Sequence, residues 1–118
     1  MRLVLVTQPV LWTDFLSTAA KGRLNLAREL PFRRPWEFLE AVELADAFER
    51  YNEATLETAH KHGIPVFDAA LALSGREEFF YDDYHLNEAG CAALGTALAR
   101  WFVEHSEVLG QARPVNRP

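Results

Sequence analysis

His60-Lys61-His62-Gly63-Ile64-Pro65-Val66-Phe67-Asp68 is the stretch on which the fold turns. A glycine directly after a basic run is a helix stop, because glycine takes the left-handed cap conformation and cations suit the negative end of the helix dipole. The four apolar residues that follow, closed by Asp68, read as a short strand. Working back, Ala41 to His62 is strongly periodic. Leu44, Phe48, Asn52, Leu56 and Ala59 form one stripe, with Ala45, Tyr51 and Thr55 beside it. Glu43, Asp46, Glu49, Arg50, Glu53 and Glu57 face the other way, the pattern of an amphipathic helix. Pro35 suits the start of a helix. Further back, Leu3 to Thr7 is an unbroken aliphatic and β-branched run of the kind buried in a parallel sheet, and Gln8-Pro9 ends it.

Forward of the quoted stretch, Ala69 to Phe79 reads as a variable segment carrying Ser74-Gly75. Asn87 is a good N-cap with Glu88 in the first turn. The helix it opens would bury Gly90, Leu94, Ala97, Leu98, Trp101 and Phe102. Strand, helix, strand, helix describes a βαβ unit with a right-handed crossover, so the chain is expected to be α/β with two parallel strands. Between Val10 and Pro35 lies an irregular excursion with one or two short helical turns, of a length that often serves as a lid or binding loop. Residues 1–107 read as one folded piece and 108–118 as a loose tail.

A sheet of only two short parallel strands is a physical problem. Both edges would present unpaired backbone, and the hydrophobic face would be too narrow to cover the helices. More strands are expected from an N-terminal half or from another subunit.

The 118 residues carry a formal net charge of −5, which argues against a nucleic-acid groove. No apolar run approaches the roughly 20 residues a membrane-spanning helix needs. The opening Met1-Arg2-Leu3-Val4-Leu5-Val6 reads as strand and lacks a signal-peptide cleavage site, so the cytoplasm is the expected compartment for this chain. A single cysteine, Cys91, excludes an internal disulfide and a cysteine-based zinc site. Its default reading is core packing in the first turn of the last helix.

The chemistry concentrates in Phe80-Tyr81-Asp82-Asp83-Tyr84-His85-Leu86-Asn87-Glu88-Ala89-Gly90. A carboxylate three residues before a histidine can reach the imidazole Nδ1 within one turn. It would fix the tautomer and leave Nε2 free to take a proton from a nucleophile. Asp82 is that acid and Asp83 the alternative. The bland reading is a turn in which His85 and both aspartates bond nearby backbone.

This block resembles the last sequence block of the SGNH (GDSL-type) hydrolases: an aspartate, two variable residues, a histidine, then a helix with an early glycine. Leu5 to Trp12, Tyr51-Asn52 and Ile64 to Asp68 are similar in kind to elements of the same family, so the resemblance runs from about Leu3 to Glu104. It implies a three-layer, flavodoxin-like α/β fold, of which this chain would be a partial βαβα piece. It also implies that Asp82 orients the imidazole and that His85 is general base and acid. The family's Gly-Asp-Ser nucleophile and its glycine and Gly-x-Asn-Asp oxyanion donors do not occur here, and Ser17, Ser74 and Ser106 lack that setting. The expectation is the C-terminal part of a serine ester hydrolase, inactive alone, whose parent cleaves carboxylic esters without metal or organic cofactor.

Two rivals stand beside it. One is a non-catalytic interaction module that pairs its sheet with a partner chain. The other is a small metal-dependent enzyme using His60, His62 and His85, although histidines at a helix C-terminus are more often dipole-favoured surface residues. Asp68 stands where α/β sheets place ligand groups, but capping the next turn is the commoner role. Asn52, on an apolar stripe, is expected to satisfy buried backbone. Arg23, Arg28, Arg33 and Arg34 read as a solvated loop face or a pocket mouth, and Trp12, Trp36 and Phe38 as pocket lining or loop tethers.

Overall fold

A computed structural model describes residues 3–13, 15–26 and 41–110. Arg28, Arg33, Arg34, Trp36, Phe38, the helix start at Pro35 and residues 111–118 lie outside the described residues. The architecture is mixed α/β and mostly helical. The elements run β1 (Leu5–Val6), α1 (Thr18–Lys21), α2 (Ala41–His62), β2 (Val66–Phe67), α3 (Ala69–Leu73), a 3-10 turn (Glu77–Phe79), α4 (Glu88–Glu104) and α5 (Ser106–Leu109).

β1 and β2 pair in parallel, Leu5 opposite Val66 and Val6 opposite Phe67, with α2 as the crossover. The expected strands are there but shorter, since ladder pairing holds only where the two chains run side by side. Leu5 N–H donates to Pro65 O at 2.9 Å and Thr7 N–H to Phe67 O at 3.2 Å, extending the pairing slightly beyond the strands.

The α2 stripe falls as its periodicity demands: Leu44, Asn52 and Ala59 are buried and Phe48 and Leu56 half-buried, whereas Tyr51 is exposed. Gly63 ends the helix at φ 61°, a conformation that costs glycine nothing. Asn52 does what a buried amide on an apolar stripe must. Its Oδ1 accepts from Gln8 N–H at 2.8 Å and its Nδ2 donates to Gln8 O at 2.9 Å, fixing the chain as it leaves β1.

Two expectations need correction, and a third is met. Ala69 to Phe79 is a five-residue helix followed by a 3-10 turn, not irregular chain. The Asp68 side chain does take the capping role expected as the commoner one, accepting Leu71 N–H at 3.0 Å at the start of α3, and it also accepts the Thr7 hydroxyl at 2.7 Å. At the far end α5 runs to Leu109, so Val108 and Leu109 are helical where a tail was expected.

The main core is built by the loop that follows β1. Val10, Leu11, Trp12, Leu16, Ala20 and Leu24 pack with Leu44 of α2 and with Phe80. α4 is covered differently. Leu94, Ala97, Leu98, Trp101 and Phe102 form the expected face but are only half-buried, and Gly90 alone on that helix is fully buried. Trp101 meets Phe67 at a ring-centroid distance of 6.1 Å. Val6 shares that side of the sheet as the register partner of Phe67, yet remains 47% exposed.

Candidate active site

The turn that carries Asp82 and His85 is pinned at both ends before its side chains are considered. Phe80, fully buried, pairs with Leu86 in an isolated antiparallel bridge. Tyr81 N–H donates to His85 O and Asn87 N–H to Phe79 O, each at 2.9 Å. Asn87 then caps α4 by accepting Gly90 N–H at 2.9 Å and donates from Nδ2 to Glu78 O at 2.8 Å. The early glycine has a steric reason. A Cβ on Gly90 would lie 2.2 Å from the carbonyl oxygen of Phe79, so only glycine lets α4 approach the backbone leading into the turn.

Within this frame the Asp82 carboxylate folds back over its own turn. Oδ1 accepts the N–H of Tyr84 at 3.2 Å and that of His85 at 3.0 Å. The imidazole Nδ1 of His85 lies 2.8 Å from Oδ2 and 3.0 Å from Oδ1. Burial pushes the Asp82 carboxyl up, but the hydrogen bond from the His85 ring, the two backbone donors and the charge of His85 outweigh it and hold the group below its ordinary value. Asp82 is therefore a carboxylate that can only accept. Nδ1 must carry the proton, and the neutral ring presents a lone pair at Nε2. No described residue hydrogen-bonds that nitrogen, and the His85 side chain is 62% exposed, with Tyr84 packed against one face at 4.3 Å between ring centroids.

Asp83 is not an alternative acid for His85. The bend at residues 81–84 turns the two aspartates apart, and Asp83 points inward, fully buried. Its Oδ1 accepts the Trp12 indole Nε1–H at 2.9 Å; its Oδ2 accepts the backbone N–H groups of Asn25 and, at 3.2 Å, Leu26. Its carbonyl oxygen accepts Leu11 N–H at 2.8 Å. Sequence pattern alone missed this role, because two adjacent aspartates look equivalent until the loop that meets one of them is known.

The same loop is tied at two more points. Arg23 donates to Phe80 O at 3.0 Å and to Glu77 O at 3.1 Å, so this arginine is a tether and not part of a solvated face. Ser17, the N-cap of α1, gives its hydroxyl and its backbone N–H to the Glu77 carboxylate, both at 2.6 Å. Those hydrogen bonds hold the Glu77 carboxyl below its ordinary value. The other serines are also engaged away from His85: Ser74 Oγ accepts Val10 N–H at 3.1 Å, and Ser106 opens α5.

Trp12 has two functions in this arrangement. Its N–H reaches Asp83, while its ring meets Phe48 edge-on at 5.0 Å and lines an open groove of about 350 Å³. Val10, Leu56, Leu71, Glu49 and Asp68 complete much of that groove, which lies beyond the carboxyl ends of both strands. Neither Asp82 nor His85 lines it. His60 and His62 lie at the end of α2, and among the described residues no group of three His, Cys, Asp or Glu side chains is placed to hold a metal ion. Cys91 is exposed near the start of α4 and not packed in a core. Among the described residues no helix is long and apolar enough to cross a membrane.

No protein-family model, curated protein or solved structure matches the chain.

Proposed function

We propose that this chain supplies the acid–base half of a serine ester hydrolase of the SGNH type, within a three-layer α/β domain completed by further polypeptide. One observation carries the reading: the carboxylate of Asp82 grips Nδ1 of an otherwise exposed His85, leaving Nε2 open. An imidazole held that way can take the proton of a serine hydroxyl as the oxygen attacks an ester carbonyl. It then hands the proton to the departing alkoxide, and a water repeats the sequence to release the acid. Asp82 stabilises the imidazolium formed on the way. The hydroxyl and the donors for the oxyanion belong to the completing polypeptide, which would also extend the sheet along the outer edge of β1 and cover the exposed Val6.

The test is complementation. The 118-residue chain is assayed with p-nitrophenyl acetate alone and together with a Gly-Asp-Ser-bearing N-terminal segment of an SGNH hydrolase. No turnover is expected alone. Turnover is expected on mixing, sensitive to a serine-directed phosphonate and abolished by His85→Ala. Turnover that survives His85→Ala, or association without any turnover, would remove the catalytic assignment. The second outcome would favour a non-catalytic module that uses the same open sheet for binding, a reading supported by the half-covered face of α4.

A further inference from the structure

The geometry points to Asp83 as the positioning residue of the Asp82–His85 pair: it transmits the placement of the loop after β1 to the acid that orients the imidazole. This rests on the reading of Asp82 and His85 as an acid–base pair and adds a residue to it. Two stretches far apart in sequence, Leu11–Trp12 and Asn25–Leu26, converge on this one residue. All three acceptor atoms of Asp83, both carboxylate oxygens and the carbonyl, are used by them. Asp83, through its side chain and through the carbonyl of its peptide to Tyr84, is thereby held from the core side, while the side chain of the preceding Asp82 is held by the amides of Tyr84 and His85.

The chemistry of the anchor is selective. A buried carboxylate is costly, and here N–H donors offset that cost: one indole and two backbone amides. An apolar side chain would leave all three donors unpaired, and an amide would turn one acceptor into a donor facing N–H groups. Only a short carboxylate meets all three. Arg23, which ties the carbonyls of Glu77 and Phe80, secures the backbone just upstream, so the turn and the loop move together.

The experiment reads the imidazole itself and needs no turnover. Nitrogen-15 NMR of the full chain, at a pH where the ring is neutral, distinguishes Nδ1–H from Nε2–H. The native chain is expected to show His85 as the Nδ1–H tautomer, and Asp82→Ala to lose it. Asp83→Asn is expected to replace the single Nδ1–H signal by mixed-tautomer shifts, together with loss of exchange protection at the Trp12 indole N–H. Should Asp83→Asn not fold, Trp12→Phe removes one donor only and is expected to shift the tautomer in the same direction. A folded variant of either kind that melts earlier but keeps the native tautomer would overturn the assignment and leave the acid–base pair standing. An unchanged tautomer in Asp82→Ala would sink the pair itself, and this assignment with it.

Discussion

The two ends of this molecule are built to different standards of closure. Around the Asp82–His85 turn a dense set of hydrogen bonds ties the chain together: a serine on Glu77, an arginine on two carbonyls, a buried aspartate on three N–H donors. Around the sheet, two residues of β1 meet two of β2, Val6 stays half open, and the apolar face of α4 is only half covered. The turn is a finished piece of structure. The sheet, among the described residues, is left partly uncovered.

That contrast can be broken by measurement. Phe80, fully buried beneath the turn, and Val6, on the open face, should respond very differently to truncation. Phe80→Ala is expected to cost about 3–5 kcal/mol, whereas Val6→Ala should stay within about 0.5 kcal/mol. Urea unfolding of both variants decides it, and equal losses would mean that the sheet is more tightly built than its exposure indicates. Gly90→Ala comes next. Its methyl would collide with the Phe79 carbonyl, so either α4 or the turn must shift, at an expected cost of about 1–3 kcal/mol. The same variant should disturb the Tyr81 and His85 amide signals more than those of α2.

The smallest effect is in acid. The Asp82 carboxyl is held below its ordinary value of 3.8, so the folded state binds its proton less readily than the unfolded chain does. Its contribution to stability is complete above that ordinary value and disappears as pH falls through the lower, folded one. The thermal midpoint of the native chain should therefore fall more steeply than that of Asp82→Asn as pH drops below about 4. Parallel curves would show that the turn does not need the charge.

The reach of sequence reasoning follows the same divide between local and long-range causes. The helix over Ala41–His62 and its end were legible because its apolar stripe, its charged back and Gly63 all agree. Asn52 was legible because an amide on an apolar stripe must find backbone. The short α3 was there to be read in Asp68-Ala69-Ala70-Leu71-Ala72-Leu73, a cap followed by strong helix formers, but five residues give too little periodicity to stand out. The inward turn of Asp83 was not legible at all. Its donors lie 57 to 71 residues away, and nothing in the turn's own sequence names them.

The clasp between Asn52 and Gln8 has a bearing on what β1 can accept. Leu5 and Thr7 donate toward β2, so by alternation the peptide groups of Val6 and Gln8 face the opposite edge. At Gln8 those groups are already taken by the carboxamide of Asn52, which both gives and receives a hydrogen bond as a neighbouring peptide would. A side chain of α2 thus impersonates one residue of an adjacent strand. Any newcomer zipping along that border from the Val6 end meets a doorstop at Gln8, and its alignment is decided there.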